Sequence, residues 1–377
     1  MISREGMVRL GPLSLVLGLA LVGAPARAEM TLSGLVDLVG KVSDPDYTNV
    51  TFGGTSNLDA VRGRLFLDAT VAENVDAFGQ VLATDAAGFT LYGAYVRIRD
   101  VGPTQLQLGI IPTPIGNWGP RTYSDRNPLV GVPLVQNHHT SLRTRERMTL
   151  DDLLANRDIR ASGGLPILYD NCWNLGAEIS GEVGAFDWSV AALAGSLAKP
   201  SREQTKDVPM GTGRLGWWIG PGLCIAADGW VGPYLDDGVE WLADDGIDPN
   251  DYLSGGFGGD VYASFRYLEL HSEVYRAFWE APGLPDLWIT SGYVDAKYKL
   301  MTRWYVAARA EFFEPDRVDL PGGGAERWDY PVERLEWGVG VKPAPRVTVK
   351  AVAQHNRSRD TDLLDGDHYL LQFSAGF

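Results

Sequence analysis

Apolar and polar residues alternate one for one along most of this chain, and no other feature narrows its fold so far. In "RWYVAARAEFF", Trp304, Val306, Ala308, Ala310 and Phe312 share one face, and Arg303, Tyr305, Ala307, Arg309 and Glu311 share the other. Side chains of an extended strand project with period two, so each such run reads as a strand with one apolar face. "VRGRLFLDATV" sets Val61, Leu65, Leu67 and Val71 against Arg62, Arg64, Asp68 and Thr70. Helical periodicity is scarce, with its best stretch at Asp151 to Asn156. Sixteen alternating segments fall near 30–42, 58–72, 75–84, 89–100, 104–112, 170–181, 185–196, 208–219, 222–232, 256–267, 270–280, 288–300, 303–313, 332–342, 346–357 and 368–377.

The connections carry a second pattern. After the even-numbered segments they are tight, as at Glu73-Asn74, Gly220-Pro221 and Pro343-Ala344-Pro345. After the odd ones they are mostly long, at 43–57, 113–169, 197–207, 233–255, 314–331 and 358–367, with 85–88 short and 281–287 intermediate. An even number of antiparallel strands with short turns at one end and long loops at the other is the plan of a transmembrane β-barrel. Closure pairs every backbone N–H and C=O and leaves no edge. Phe186, Tyr267, Tyr298, Trp304 and Phe377 near the short-turn end, and Trp173, Trp288 and Tyr369 near the other, are the expected aromatic girdles. A soluble sandwich or propeller also alternates, but a sandwich has no reason for lopsided loops and a propeller repeats itself. The expected fold class is therefore all-β: an antiparallel transmembrane β-barrel of about 16 strands, with short periplasmic turns and long extracellular loops.

The start of the chain agrees with export. Arg4 and Arg9 flank the start of an apolar run from Leu10 to Gly23, and Ala26-Arg27-Ala28 follows it. That is the pattern of a secretory signal peptide over 1–28, leaving a single barrel at 29–377. The run is too short for a spanning helix, which needs about 20 apolar residues. The chain carries a formal charge of −15, and removal of the segment's +2 leaves −17, which argues against bulk nucleic-acid binding. Two cysteines in 377 residues show that disulfides are not the main source of stability. Cys172 and Cys224 are expected near opposite rims, unpaired.

The last segment, "HYLLQFSAGF", resembles the closing strand of bacterial outer-membrane proteins. That resemblance implies that Tyr369, Leu371, Phe373 and Phe377 form the signal read by the barrel-assembly machinery. The stretch "LQLGIIPTPIGNWGPRTYSDRNPLVG" is similar to a strand-end element of the phosphate-selective porin O/P family, matched at Gly109, Pro112, Pro114 and Gly116. Ile115 stands where that family usually has Phe, and Asn117 where it commonly has an acid. The likeness implies a homotrimeric, passive diffusion channel for small hydrophilic solutes or anions, set in outer-membrane lipid. It further implies that loop 113–169 folds into the pore.

A barrel of this size leaves an aqueous channel, so inward charges are candidate selectivity elements. By parity these include Arg62, Arg64, Arg97, Arg99, Lys297, Lys299, Arg303 and Arg309, opposed by Asp37, Asp68, Asp76, Glu178, Glu273, Asp295, Glu311 and Glu336. Arg143, Arg145 and Arg147 alternate within the long loop and would share one side of an extended segment, favouring anions. The His138-His139 pair reads as a solvated loop segment rather than a metal site, since no Cys or carboxylate stands at ligand spacing. Residues 233–255 carry seven acids and no base but miss EF-hand spacing, and read as a hydrated outer loop. No cofactor is expected. The rival class is a barrel enzyme of the protease or lipase type, for which His271 and Glu273 share an inward face without an accompanying nucleophile. A ligand-binding or structural surface barrel is the other alternative.

Overall fold

The computed structural model describes residues 29–43, 60–84, 88–157, 164–169, 173–204, 206–236 and 238–377. The leader 1–28, most of loop 43–57, Arg160 and Cys172 lie outside the described residues.

Sixteen antiparallel strands close into one barrel. In chain order they are β1 (Glu29–Ser43), β2 (Val61–Ala72), β3 (Val75–Thr84), β4 (Gly88–Val101), β5 (Thr104–Pro112), β6 (Trp173–Val183), β7 (Phe186–Leu193), β8 (Met210–Gly220) and β9 (Leu223–Pro233). β10 (Leu253–Phe265), β11 (Leu268–Trp279), β12 (Leu287–Lys299) and β13 (Trp304–Pro315) follow. The short strands β14 (Arg317–Asp319) and β15 (Ala325–Arg327) make a separate hairpin inside the long 314–331 connection. β16 (Val332–Ala344), β17 (Val347–Arg357) and β18 (Gly366–Gly376) complete the wall.

β18 closes on β1 with register from Leu35↔Gly376 to Ser43↔His368. The backbones of Gly34 and Phe377 exchange two further hydrogen bonds, at 3.2 and 3.0 Å. Every wall strand therefore has a neighbour on both sides, the condition for placing strands in hydrocarbon.

Period two sets which side chains meet lipid. Along β13, Tyr305, Ala307, Arg309, Glu311 and Phe313 are buried inward, while Trp304, Val306 and Phe312 remain exposed outward. Tyr369, Leu371, Phe373 and Phe377 are likewise exposed on the outer face, and His368, Leu370, Gln372 and Ser374 are buried on the inner one. Four short-turn ends carry register shifts, at Thr70/Ala72, Ile98/Val101, Trp218/Gly220 and Val341/Ala344. A bulge there adds twist and helps the strand reverse.

A fifth shift lies within the wall. Between Gln80↔Gly93 and Val81↔Leu91, β4 carries one extra residue, Tyr92. The extra residue switches the parity of β4, so Tyr92 is buried inside while Leu91 and Phe89 face out. Trp173 departs from the expected girdle as well. Its ring turns into the lumen and lies so close over Gly93 that a Cβ there would stand 2.4 Å from it.

The core sits inside the barrel. Residues of the 113–169 connection, among them Trp118, Leu134, Val135, Leu142 and Leu165, pack with Tyr275, Trp279, Ile289, Tyr293 and Phe313 of the wall. The candidate helix appears as a short turn at Leu150–Ala155, closed by a reciprocal capping box between Thr149 and Asp152. Those Thr149 hydrogen bonds hold the Asp152 carboxyl below its ordinary range.

Candidate functional site, the barrel lumen

The segment after β5 is laced to the inner wall by wall charges bonded to its backbone. At Gly116 the chain turns with φ +64, and Asp228 Oδ2 accepts the Gly116 N–H at 3.2 Å. Glu273 Oε1 accepts the Asn117 and Trp118 N–H groups at 2.6 and 2.7 Å, and its other oxygen accepts from Gln136 at 3.2 Å. Farther on, Ser124 donates to Asp37, Gly131 N–H to Glu336 Oε1 at 2.7 Å and Leu134 N–H to Glu311 Oε2 at 2.6 Å. Lys350 Nζ donates to the carbonyls of Ser124 and Leu129 at 2.6 and 3.0 Å. A buried charge is tolerated only when its hydrogen bonds are met, and the loop backbone meets them here.

The inward arginines divide into two groups. Arg62 Nη2 pairs with Asp37 Oδ2 at 2.7 Å, both almost fully buried. Arg64 lies between the rings of Tyr92 and Tyr123, 5.2 Å from each centroid. Arg309 pairs with Asp295 at 3.3 Å, reaches the Gly131 carbonyl at 3.1 Å and stacks over Trp118 at 5.1 Å. Arg121, from the loop itself, adds a 2.9 Å pair to the same Asp295. These groups hold the inserted segment in place and are not available to a passing solute. Alternation reports that a side chain points inward, and it carries no information on whether water or protein waits there.

The second group borders open space. A cavity of about 770 Å³ lies between the wall strands β1 to β6 and the segment Pro112–Arg126, lined by Arg97 and Arg126 against Glu29, Asp68, Asp76 and Glu178. Arg97 donates to Tyr95 Oη at 3.1 Å, and Arg99 pairs with Asp76 at 3.1 Å. A smaller cavity of about 490 Å³ adjoins it toward the short-turn end, sharing Asp68, Phe78, Tyr123 and Arg126. Lys297 pairs with Glu269 at 3.0 Å, while Lys299 and Arg303 are exposed at the short-turn rim. The open lumen is thus eccentric, because the inserted segment fills the side lined by β9 to β16.

The loop arginines do not line one side of an extended run. Residues 143–147 are bent and lie at the long-loop end. Arg143 is half-buried beside Glu146 at 3.8 Å. Arg147 points out and pairs with Asp245 of the acidic loop at 3.3 Å. Arg145 borders an outer cavity of about 500 Å³, together with His139, Lys199, Arg202 and Trp173. The reading of "HHTSLRTRER" as solvated is corrected: His138 is fully buried, with its ring 4.1 Å from that of Phe313, and His139 Nδ1 meets the Gly164 carbonyl at 2.7 Å. Among the described residues no group of three His, Cys, Asp or Glu is arranged to hold a metal ion.

Two lumen residues escaped the sequence reading, Tyr92 and Trp173. Their only sequence signal was an aromatic residue beside a glycine-containing strand, "YGAY", which does not reveal a bulge.

No family model and no curated protein matches the chain, so the finer resemblance to the phosphate-selective porin O/P family has no match behind it. Solved structures do match along nearly the whole length. OmpT, an outer membrane protein of Vibrio cholerae, superposes with TM-score 0.57 at 12% identity, covering 95% of this chain and 99% of that one. The anion-selective porin from Comamonas acidovorans gives 0.57 at 10% identity, covering 93% and 100%. OmpF of Salmonella typhi gives 0.59 at 10% identity, covering 92% and 97%. At such identities the likeness establishes the fold alone, which is the closed sixteen-stranded barrel of outer-membrane porins.

Proposed function

We propose that the protein is a passive channel of the bacterial outer membrane for small hydrophilic solutes. The observation that carries this reading is the charged cavity of about 770 Å³ kept open inside the closed barrel, between the β1–β6 wall and the inserted segment. Opposed rows of both signs order water and sort solutes by charge. In this reading the segment 113–169 narrows the pore. The outer cavity, with Arg145, Lys199 and Arg202 and no carboxylate in its lining, makes the extracellular mouth attractive to anions. The acids of the inner cavity oppose that preference and keep it small.

The signal peptide, lipid as the surrounding medium and the assembly machinery as a folding partner belong to the same proposal. So does a homotrimer, a state named for one of the OmpT structures. It is supported by an apolar groove of about 680 Å³ on the outer face, floored by Ala296, Ala308, Gly338, Ala351 and Ala353. The enzyme alternative is disfavoured because Glu273 has committed both carboxylate oxygens to the loop, and the ring of its neighbour His271 faces Asn117 at 3.3 Å.

Purified protein in planar bilayers tests the reading. Stepwise conductance in KCl, with a small anion-favouring reversal potential in a salt gradient, is the expected result. A protein that inserts, stays folded and passes no current is not a channel.

A further inference from the structure

The geometry points to a sugar subsite in the lumen: the slot between the Trp173 aromatic wall and the rim Pro112–Ile115 takes the flat ring of a neutral pyranose. This rests on the channel reading and names the solute class that the same lumen favours.

Four aromatic rings meet at one level. Phe78 and Trp173 stack at 5.7 Å with 13° between their planes. Tyr95 lies 5.1 Å from Phe78, and Tyr92 lies 6.2 Å from Trp173. Trp173 lines both the inner and the outer cavity, so it stands at their junction. A solute moving between the two passes its ring. The facing rim of the inner cavity, Pro112, Pro114 and Ile115, is apolar as well. The slot therefore offers apolar surfaces on two sides, which suit a flat solute with apolar faces.

Its edges are polar and of mixed sign. Arg97, Gln107, Asp68 and Glu178 border the same cavity. A ring hydroxyl both donates and accepts, so guanidinium, amide and carboxylate groups all satisfy it. An anion would meet the inner acids, and a plain hydrocarbon would leave these edge groups unmet. The cavity of about 770 Å³ is within the roughly 300–1,000 Å³ of small-molecule sites. An open-chain alditol carries the same hydroxyls without a rigid face, and it is the discriminating comparison.

The experiment is current block of the full protein in planar bilayers, with maltose and sorbitol as probes. Maltose is expected to reduce KCl current saturably, and sorbitol at equal concentration is not. Trp173→Leu should raise the half-blocking maltose concentration by roughly 2- to 10-fold, the range for one lost aromatic contact. Should that variant misfold, Phe78→Leu and Glu178→Gln test the stacking face and the polar edge separately, and each should weaken the block. Equal block by maltose and sorbitol, or maltose block untouched in all folded variants, overturns the inference while leaving the channel intact. Saturable block by benzoate with none by maltose also overturns it, in favour of aromatic acids. Absence of any KCl current overturns the channel reading and this inference together.

Discussion

Gly116 stands so close to Glu273 that a Cβ built on it would lie 2.5 Å from the carboxylate Oε1. The same glycine has φ +64, where any other residue is strained by about 1–2 kcal/mol. A backbone turn in the left-handed region thus brings three successive amides onto two wall carboxylates, and the long segment enters the barrel from there.

Gly116→Ala should loosen that anchorage. Both the strain and the displaced Glu273 act in one direction, so the folded form should melt at lower temperature in a heat-modifiability gel. Single-channel traces should become noisier, with a higher mean conductance. Glu273→Gln, which weakens charge-assisted bonds to the Asn117 and Trp118 amides, should act the same way. Quiet, wild-type traces from both variants would show that the loop is held elsewhere.

Arg145 and Arg147 should separate in their effects although two residues apart. Arg145 borders the outer cavity, whereas Arg147 is exposed and paired with Asp245. Arg145→Gln should reduce the anion-to-cation permeability ratio by roughly two-fold, because local field governs selectivity. Arg147→Gln should leave the reversal potential unchanged. An equal shift in both would mean that total rather than local charge matters.

Phe377 packs its ring over Gly34, where a Cβ would meet it at 2.3 Å, and its backbone pairs with Gly34. Phe377→Asp places a charge on the lipid face, at a cost of about 0–1 kcal/mol near an interface and more with depth. The larger expected effect is kinetic: low yield of membrane-inserted, heat-modifiable barrel, with Phe377→Tyr near normal. Normal insertion of the Asp variant would remove this residue from the assembly step.

Cys224 is buried near the short-turn end of β9, opposite Trp218 and Tyr262. Trp173, which follows Cys172 in sequence, opens β6 at the long-loop end. Bridged cysteines need Cα atoms within about 7 Å, so two thiols should be titratable in denatured, unreduced protein. A count of zero would require different strand directions.

The sequence by itself determined the wall. Alternation in runs such as Trp304 to Phe312 marks strand, lipid face and lumen face at once, because period two is local and needs no knowledge of neighbours. The sixteen segments, their tight and long connections and the pairing face of the last strand follow from it, and so does the inward aim of Arg62, Arg97, Arg309 and Glu273. What lies opposite those side chains was decided only in the tertiary structure. Arg309 meets Gly131, 178 positions away in the chain, and Glu273 meets Asn117 across 156; no local pattern encodes such encounters. Tyr92 and Trp173 show a second limit. One extra residue in β4 reverses the parity downstream of it, and a ring at a strand end can swing over a glycine. Both aromatics therefore face the lumen, because register and close packing, rather than composition, set where they point.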